Sequence, residues 1–164
     1  MMGADIVVDV TIATVSPAVV ERAINTGARV LVGTSGWNAD RIQAITASVD
    51  QAGTAVLIVP NFPLGSALAS TLASLAASHF DSIEIIERHR QSKVDSPSGT
   101  AVRTAEMMAE ARRGLALVSA PHADQRARGE QVGGIQIHSL RMDGVVAQQE
   151  VIFGGQGEQV RISH

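Results

Sequence analysis

Short apolar runs alternate with helical patterns over the first sixty residues of the chain. Residues 6–10, apolar except for Asp9, are typical of a buried parallel strand, and residues 28–32 and 54–59 predict two more. A helical pattern lies between each pair of strands. This βαβαβ order predicts a parallel sheet with right-handed crossovers.

The two intervening helices carry boundary signals. Ser16 suits an N-cap followed by Pro17 at the first helical position, and Gly27 should end that helix. Asn38 is a candidate cap for the second helix. The residues predicted to face inward are Val20, Ala23 and Ile24 in the first helix, and Ile42 and Ile45 in the second.

After residue 62 the pattern changes, and we predict a second domain over residues 63–164. Four leucines recur at helical spacing as one apolar stripe, with Ser and Thr filling much of the rest: Leu64, Leu68, Leu72 and Leu75. Further predicted elements are a strand at 82–87, a polar loop at 88–98, a helix at 99–113, a mobile excursion at 114–134, and strands at 135–141, 145–153 and 158–162. This second half reads as α+β with a mixed, open sheet. A sheet face that so small a chain leaves uncovered suggests oligomerisation.

Composition narrows the classes of function. The 164 residues are 45% hydrophobic but include only one Trp, three Phe and no Tyr, so the core should be aliphatic. A net charge of −3 without a basic run argues against nucleic-acid binding. Cysteine is absent, which excludes disulfides and thiolate metal sites, and we name no metal ligand. With no membrane span or signal peptide in the sequence, a soluble cytoplasmic protein is expected.

Ligands of open parallel sheets bind beyond the carboxyl ends of the strands. One such end carries Gly33 and Gly36, which permit close approach of a flat ligand, and the hydroxyls of Thr34 and Ser35, which can orient it. Short glycine-containing turns are also common in α/β units for purely structural reasons. Both interpretations stay open for this segment taken alone.

The segment 87–101 carries a more specific signal. Its loop concentrates His89, Arg90 and Lys93, and the chain then enters a helix through residues 97–100, Pro-Ser-Gly-Thr. A helix start offers backbone N–H groups and a partial positive charge, which suit a carboxylate, and His89 can transfer a proton near neutral pH. A solvated loop with an ordinary N-cap explains Ser98 but leaves the crowding of three cationic side chains unexplained.

These motifs, taken together, resemble the dihydrodipicolinate (4-hydroxy-tetrahydrodipicolinate) reductase family. His89, Lys93 and residues 95–100 are similar to the family signature H-H-x-x-K-x-D-x-P-S-G-T. Residues 33–36 resemble its G-T-T-G loop, residues 8–11 its V-D-F-T strand end, and residues 60–62 its P-N-F element. Residues 138–141 and 147–154 resemble its late strands. The matches run in order over nearly the whole chain.

The resemblance implies a fold, an activity and an assembly. Residues 1–62 would be the remaining half of a Rossmann-like nicotinamide-binding domain, and residues 63–164 a substrate-binding and oligomerisation domain. The family uses NADH or NADPH to reduce a small cyclic dicarboxylate, 4-hydroxy-tetrahydrodipicolinate, to tetrahydrodipicolinate in lysine and diaminopimelate synthesis. Its members are homotetramers.

The resemblance also implies roles for individual residues. His89 takes the position of the proton donor, and Lys93 that of an essential cation. The implied substrate-binding residues are Ser35, Arg90, Ser98, Gly99 and Thr100. The implied cofactor-binding residues are Thr11, Gly33, Thr34, Ser35, Pro60, Asn61 and Phe62.

Departures from the family pattern leave an alternative open. No G-x-x-G-x-x-G turn precedes Ile6, Arg90 replaces the second His of the signature, and a further helix of the family would follow His164. We therefore expect a chain truncated at both ends with impaired reductase activity. The alternative is a non-catalytic, oligomeric dicarboxylate-binding paralogue. An unrelated α/β domain is improbable, because the matches occur in order.

Overall fold

The chain folds into two compact units, Met1–Phe62 (unit 1) and Pro63–His164 (unit 2). The computed structural model describes residues 3–59 and 61–164. No helix within these residues is long and apolar enough to cross a membrane.

Unit 1 is a three-stranded parallel sheet with two helices. Its elements are β1 (Ile6–Asp9), α1 (Ser16–Asn25), β2 (Arg29–Val32), α2 (Ala39–Ala52) and β3 (Val56–Ile58), and the strand order is β1-β2-β3. The predicted βαβαβ arrangement is confirmed. Both helices contribute to one core cluster against one face of the sheet, and Val20, Ala23 and Ile24 are buried in it as predicted.

Two details of the helices in unit 1 differ from the predictions. Ser16 is the first residue of α1 and not its N-cap, which is Val15. The Ser16 hydroxyl instead donates a hydrogen bond to the carboxylate of Asp9, the last residue of β1. Ile42 is exposed, whereas Ile45 packs against the core; Asn38 caps α2 through Arg41 N–H at 3.0 Å, as predicted.

Unit 2 packs two helices against a mixed five-stranded sheet. Its elements are α3 (Leu64–Ala77), β4 (Ser82–His89), α4 (Gly99–Ala111), a 3₁₀ turn (Arg126–Arg128), β5 (Glu130–Val132), β6 (Ile135–Arg141), β7 (Ala147–Gly155) and β8 (Glu158–Ser163). The strand order is β5-β6-β4-β7-β8, in which only the β4–β6 pair is parallel. The mixed sheet that the sequence predicts is confirmed.

Two segments of unit 2 are more ordered than the sequence suggests. Arg88 and His89, predicted in a loop, are the last two residues of β4, because their backbone pairs with β6 and β7. Residues 114–134, predicted to be a mobile loop, contain the edge strand β5. His89 is therefore held by a strand on each side.

The leucine stripe of α3 does not face the core. Leu64, Leu68, Leu72 and Leu75 are 53–73% exposed. The buried face consists of small residues: Ser66, Ser70, Ala73 and Ala77. Small side chains let α3 approach α4 closely, and Ser70 Oγ lies 2.8 Å from Thr104 Oγ1 across that contact. Close packing and hydrogen bonding between the helices therefore override the apolar pattern.

The orientation of α3 predicts that substitutions at two adjacent positions differ in their effect on stability. Ala73→Leu should lower the free energy of unfolding by about 1–3 kcal/mol, because a larger side chain overpacks the fully buried side of α3. Leu72→Gln should change it by less than about 0.5 kcal/mol, because Leu72 is mostly exposed. Urea unfolding of both variants measures the difference. A larger loss for Leu72→Gln than for Ala73→Leu would contradict the observed orientation.

Candidate functional site

A buried carboxylate, Glu87, lies at the centre of the site in unit 2. It is near the end of β4, on the same face as Ile83 and Ile85, and is fully buried. Arg141, at the end of β6, binds it with both terminal nitrogens: Nη1 is 2.9 Å from Oε2, and Nη2 is 2.9 Å from Oε1. This bidentate pair joins the carboxyl ends of two parallel strands.

Glu87 is held in its ionised form. Burial raises the pKa of the Glu87 carboxyl, but the hydrogen bonds and positive charge of Arg141, with a further hydrogen bond from Ser139, hold that pKa below its usual range. An ionised carboxylate only accepts hydrogen bonds. Every group that bonds to Glu87 must therefore be a donor.

His89 is one of these donors. Its Nδ1 lies 2.5 Å from Glu87 Oε2, two residues earlier on the same face of β4. Because the carboxylate only accepts, Nδ1 carries the proton in this contact, and Nε2 is left as the nitrogen that exchanges a proton with a ligand. The imidazole retains 16% of its surface exposed. The predicted acid is thus both oriented and reachable.

The start of α4 is attached to the same carboxylate. Ser98 is the N-cap of α4: its Oγ accepts from Ala101 N–H at 3.2 Å, and its own N–H donates to Glu87 Oε1 at 3.1 Å. Ser98 is only 2% exposed, and these two polar groups form hydrogen bonds within the protein. Gly99 and Thr100 are the first two residues of α4 and are half-buried.

The loop between β4 and α4 carries the predicted cation. Lys93 Nζ lies 2.6 Å from Asp95 Oδ1. Burial raises the pKa of Asp95, but the hydrogen bond and charge of Lys93 hold it below its usual range. Arg141 Nη2 also donates to the backbone carbonyl of Asp95 at 2.5 Å. The loop is therefore fixed by the same guanidinium that binds Glu87.

Unit 1 contains a second buried carboxylate at the end of a strand. Asp9 is 1% exposed and accepts from both the N–H and the hydroxyl of Thr11, at 3.1 and 2.6 Å, and from Ser16. Burial raises the pKa of Asp9, but these hydrogen bonds hold it below its usual range. Trp37 Nε1 donates to Ser16 Oγ at 2.8 Å, which extends the network to the turn after β2.

The predicted cofactor-contacting residues cluster at this edge of unit 1. The ring of Phe62 lies directly over Gly33, where any Cβ would collide with it, and 56% of Phe62 is exposed. Thr34 is buried, and its hydroxyl points to the Asp9 carbonyl at 3.4 Å. Glycine at 33 thus permits an aromatic side chain to approach the turn closely. The exposed ring of Phe62 can contact a flat heterocycle, whereas the hydroxyls of Thr11 and Thr34 are both directed to Asp9.

The remaining predicted site residues differ in their exposure. Ser35 is exposed on the turn after β2, and Asn61 is half-buried beside Phe62. Arg90 is exposed directly after β4. Pro60 lies outside the described residues.

Glu87, Arg141 and Asp9 are the polar residues whose roles the sequence reasoning missed. One signal was available for Glu87: it falls on the alternating face of Ile83 and Ile85, where an acidic residue must find buried partners. Nothing local to the sequence links it to Arg141, which lies 54 residues away.

The ion pair predicts how stability depends on pH. Because the folded pKa of Glu87 is lowered, its contribution is present above the unfolded value of about 4.5 and is lost as pH falls through the folded pKa. Glu87→Gln should reduce the free energy of unfolding by about 3–5 kcal/mol near neutral pH, since it leaves Arg141 without its counter-charge. The difference from the parent chain should shrink in acid.

Urea unfolding of both proteins across acid and neutral pH measures this. Glu106→Gln is the control, because Glu106 forms an exposed pair with Arg103 on α4. A Glu87→Gln deficit that stays constant with pH would contradict the assignment.

Comparison with known proteins assigns both units to one family. The family profiles described as "Dihydrodipicolinate reductase, N-terminus" and "Dihydrodipicolinate reductase, C-terminus" match residues 1–62 and 64–164. The 4-hydroxy-tetrahydrodipicolinate reductase of Clavibacter michiganensis is 57% identical over 165 residues, covering 100% of this chain and 60% of that protein. That of Mycolicibacterium smegmatis is 44% identical over 167 residues, covering 98% and 66%. The chain thus spans about 60% of the length of the first of these relatives.

Solved structures give the same result. A dipicolinate-bound dihydrodipicolinate reductase from Paenisporosarcina sp. TG-14 superposes with a TM-score of 0.68 at 34% identity, covering 98% of this chain and 61% of that one. GenD2 from gentamicin A biosynthesis, solved with NAD, has a TM-score of 0.58 at 14% identity, covering 97% and 54%, and shares the fold alone. Both halves of the chain match one family, and the predicted Rossmann-like and α+β architecture is confirmed: this chain belongs to the dihydrodipicolinate reductase family.

Proposed function

We propose that this chain carries the carboxylate-binding and proton-donating residues of an NAD(P)H-dependent 4-hydroxy-tetrahydrodipicolinate reductase of lysine and diaminopimelate synthesis. The observation that carries the proposal is the convergence on one buried carboxylate of the acid His89, the Lys93 loop and the start of α4. The names of the relatives, and the dipicolinate bound to the related solved protein, support the choice of substrate.

The residues of unit 2 divide the work of binding and proton transfer. The start of α4, at Gly99 and Thr100, would bind a ring carboxylate through its backbone N–H groups and partial positive charge. Lys93 would add a full charge, shared with Asp95, which lies 2.6 Å away. As an imidazolium, with a proton on each nitrogen, His89 would donate the Nε2 proton to the reduced ring and keep the Nδ1 proton, which stays hydrogen-bonded to Glu87.

The carboxyl edge of unit 1 fits a nicotinamide ring. The Phe62 ring is close to Gly33 and more than half exposed, and Thr11 lies at the same edge of the sheet. A bound NADH or NADPH supplies the hydride. The Phe62 ring would contact the nicotinamide at this edge, and Ser35 is exposed on the turn after β2.

One measurement distinguishes the reductase from a dicarboxylate-binding module without catalysis. NADH fluorescence is titrated with the chain in the presence and absence of pyridine-2,6-dicarboxylate, a planar analogue of the substrate. Mutual enhancement of binding supports the reductase. Binding of the analogue with no response to NADH favours the non-catalytic module.

We expect pyridine-2,6-dicarboxylate to raise the melting temperature of the chain, because a ligand of the folded state stabilises it by mass action. Lys93→Ala should remove most of that increase by deleting the positive charge of the loop that leads into α4. Arg103→Ala is the matched control, since it removes a positive charge from the exposed side of α4. Equal stabilisation of all three proteins would contradict the binding assignment.

We also propose that the chain assembles as a homotetramer through the sheet of unit 2. Both helices pack on one face of that sheet, and the opposite face presents the half-buried Ile86 and Ile152 and the exposed Leu140. The charged groups on that face are already paired within the chain, as in Arg88 with Glu150 and Arg128 with Glu84, which lessens the cost of burying them. The predicted apolar run 145–153 contributes less than expected, because Val151 and Phe153 point into the core.

Light scattering at micromolar concentration tests the assembly. The parent chain should have the mass of a tetramer, and Ile86→Lys should dissociate it by placing an unpaired charge in the interface. Leu117→Lys, at a residue that is 88% exposed, should leave the mass unchanged. A monodisperse monomer of the parent chain would overturn the proposal.

A further inference from the structure

We propose that Glu87 is the positioning residue of this site: its buried carboxylate selects the nitrogen of His89 that exchanges a proton and locks the start of α4 to the end of β4. The inference rests on the proposed function, because it assigns a role within the same site. It adds a residue that touches neither substrate nor cofactor and acts through the groups that do.

The oxygen Oε2 sets the state of His89. It accepts from His89 Nδ1 at 2.5 Å and from Arg141 Nη1 at 2.9 Å. A neutral imidazole has one donor nitrogen and one acceptor nitrogen, and the partner of one nitrogen decides the role of the other. Contact with an ionised carboxylate therefore selects the tautomer with the proton on Nδ1. Nε2 is then the nitrogen that exchanges a proton with a ligand: it accepts one in the neutral imidazole and donates one in the imidazolium.

The oxygen Oε1 sets the position of the anion-binding turn. It accepts from the backbone N–H of Ser98 at 3.1 Å and from Arg141 Nη2 at 2.9 Å. Ser98 is the N-cap of α4, so this bond fixes where the helix begins. One rigid, buried group thus determines the distance between the imidazole and the first turn of α4, and geometry of this kind governs proton transfer.

Arg141 extends the same control to the loop. Its Nη2 also donates to the carbonyl of Asp95, whose carboxylate binds Lys93. The guanidinium therefore neutralises Glu87 and holds the chain segment that carries the cation. The acid, the cation and the helix start all have fixed positions relative to the Glu87–Arg141 pair.

The same strand offers a matched control. Glu84 also contacts a histidine and an arginine: Oε2 is 2.7 Å from His138 Nε2, and Oε1 is 2.5 Å from Arg128 Nη2. Because Glu84 lies three residues before Glu87 on a strand, it faces the opposite side of the sheet, away from α4. Glu84→Gln thus changes the same chemistry without touching the site.

Replacing Glu87 with glutamine has a specific consequence for His89. Glutamine has one acceptor oxygen and one donor NH₂ group in place of two acceptor oxygens. The backbone N–H of Ser98 can only donate, so it retains the oxygen. The NH₂ group then faces His89, whose Nδ1 can become an acceptor by moving its proton to Nε2. Glu87→Gln should therefore switch the tautomer of His89.

The test is long-range ¹H–¹⁵N correlation of the imidazole groups in the full chain, at about pH 8.5, where imidazole is neutral. The signals of His89 are assigned by their loss in His89→Gln. The parent chain and Glu84→Gln should show the Nδ1–H tautomer at His89, and Glu87→Gln should show the Nε2–H tautomer. A parent chain with the Nε2–H tautomer would overturn the proposal without any variant, even if Glu87→Gln does not fold. An unchanged His89 in a folded Glu87→Gln would also overturn it.

Binding of pyridine-2,6-dicarboxylate separates this inference from the proposed function. Glu87→Gln should weaken that binding about three- to tenfold, because a neutral amide oxygen holds the N–H group that positions α4 less strongly than a carboxylate does, and Glu84→Gln should not. Failure of the parent chain to bind the analogue counts against the proposed function, whereas the tautomer result stands by itself. Equal weakening in both variants would overturn the role of Glu87 at the start of α4.

Discussion

The buried ion pair between Glu87 and Arg141 is the constraint on which the rest of unit 2 depends. A carboxylate with no exposed surface is tolerated only when its oxygens are fully bonded and its charge is compensated. Here the compensation comes from three separate elements, since the donors belong to β6, to the end of β4 and to the start of α4. The requirement to satisfy one charge therefore dictates how those elements meet. The same contacts bring the polar residues of the site together.

Unit 1 uses a comparable arrangement without a cation. Asp9 is buried at the end of β1, and its charge is compensated by hydroxyl and backbone donors from the following turn and from α1. Because these donors are neutral, the arrangement orders a turn without adding positive charge to it. The edge of unit 2, in contrast, contains two cationic side chains, Arg141 and Lys93, each paired with a carboxylate. The two units therefore differ in the chemistry that they offer.

Local patterns in the sequence predicted most of the fold, and the errors have a common physical origin. The apolar runs located the parallel strands, and Asn38 and Ser98 marked the starts of two helices. The face of α3 was not predictable from its leucines, because the buried face is decided by how closely α4 can approach. Ser16 has the residue type of an N-cap, but Asp9 binds its hydroxyl. In each case a contact distant in sequence overrode a local preference.

The site also combines residues that the sequence could identify with one that it could not. The loop and helix start at residues 89–100 could be recognised as a group because they are contiguous, but Arg141 could not be associated with them. The structure adds the group that orders them, and it does so through β6, which pairs in parallel with β4.

This parallel pairing also affects how the protein folds. Parallel neighbours need a long crossover, and here the crossover between β4 and β6 contains Lys93 and the start of α4, while the two strands carry Glu87, His89 and Arg141. Closing that loop lowers the chain entropy before the contacts between its ends compensate, so non-local pairings of this kind form slowly. Until Arg141 docks, Glu87 lacks its counter-charge, and a chain with β4 and α4 already in contact is disfavoured. During synthesis the ion pair at the centre of the site therefore cannot form until Arg141, the last residue of β6, has left the ribosome.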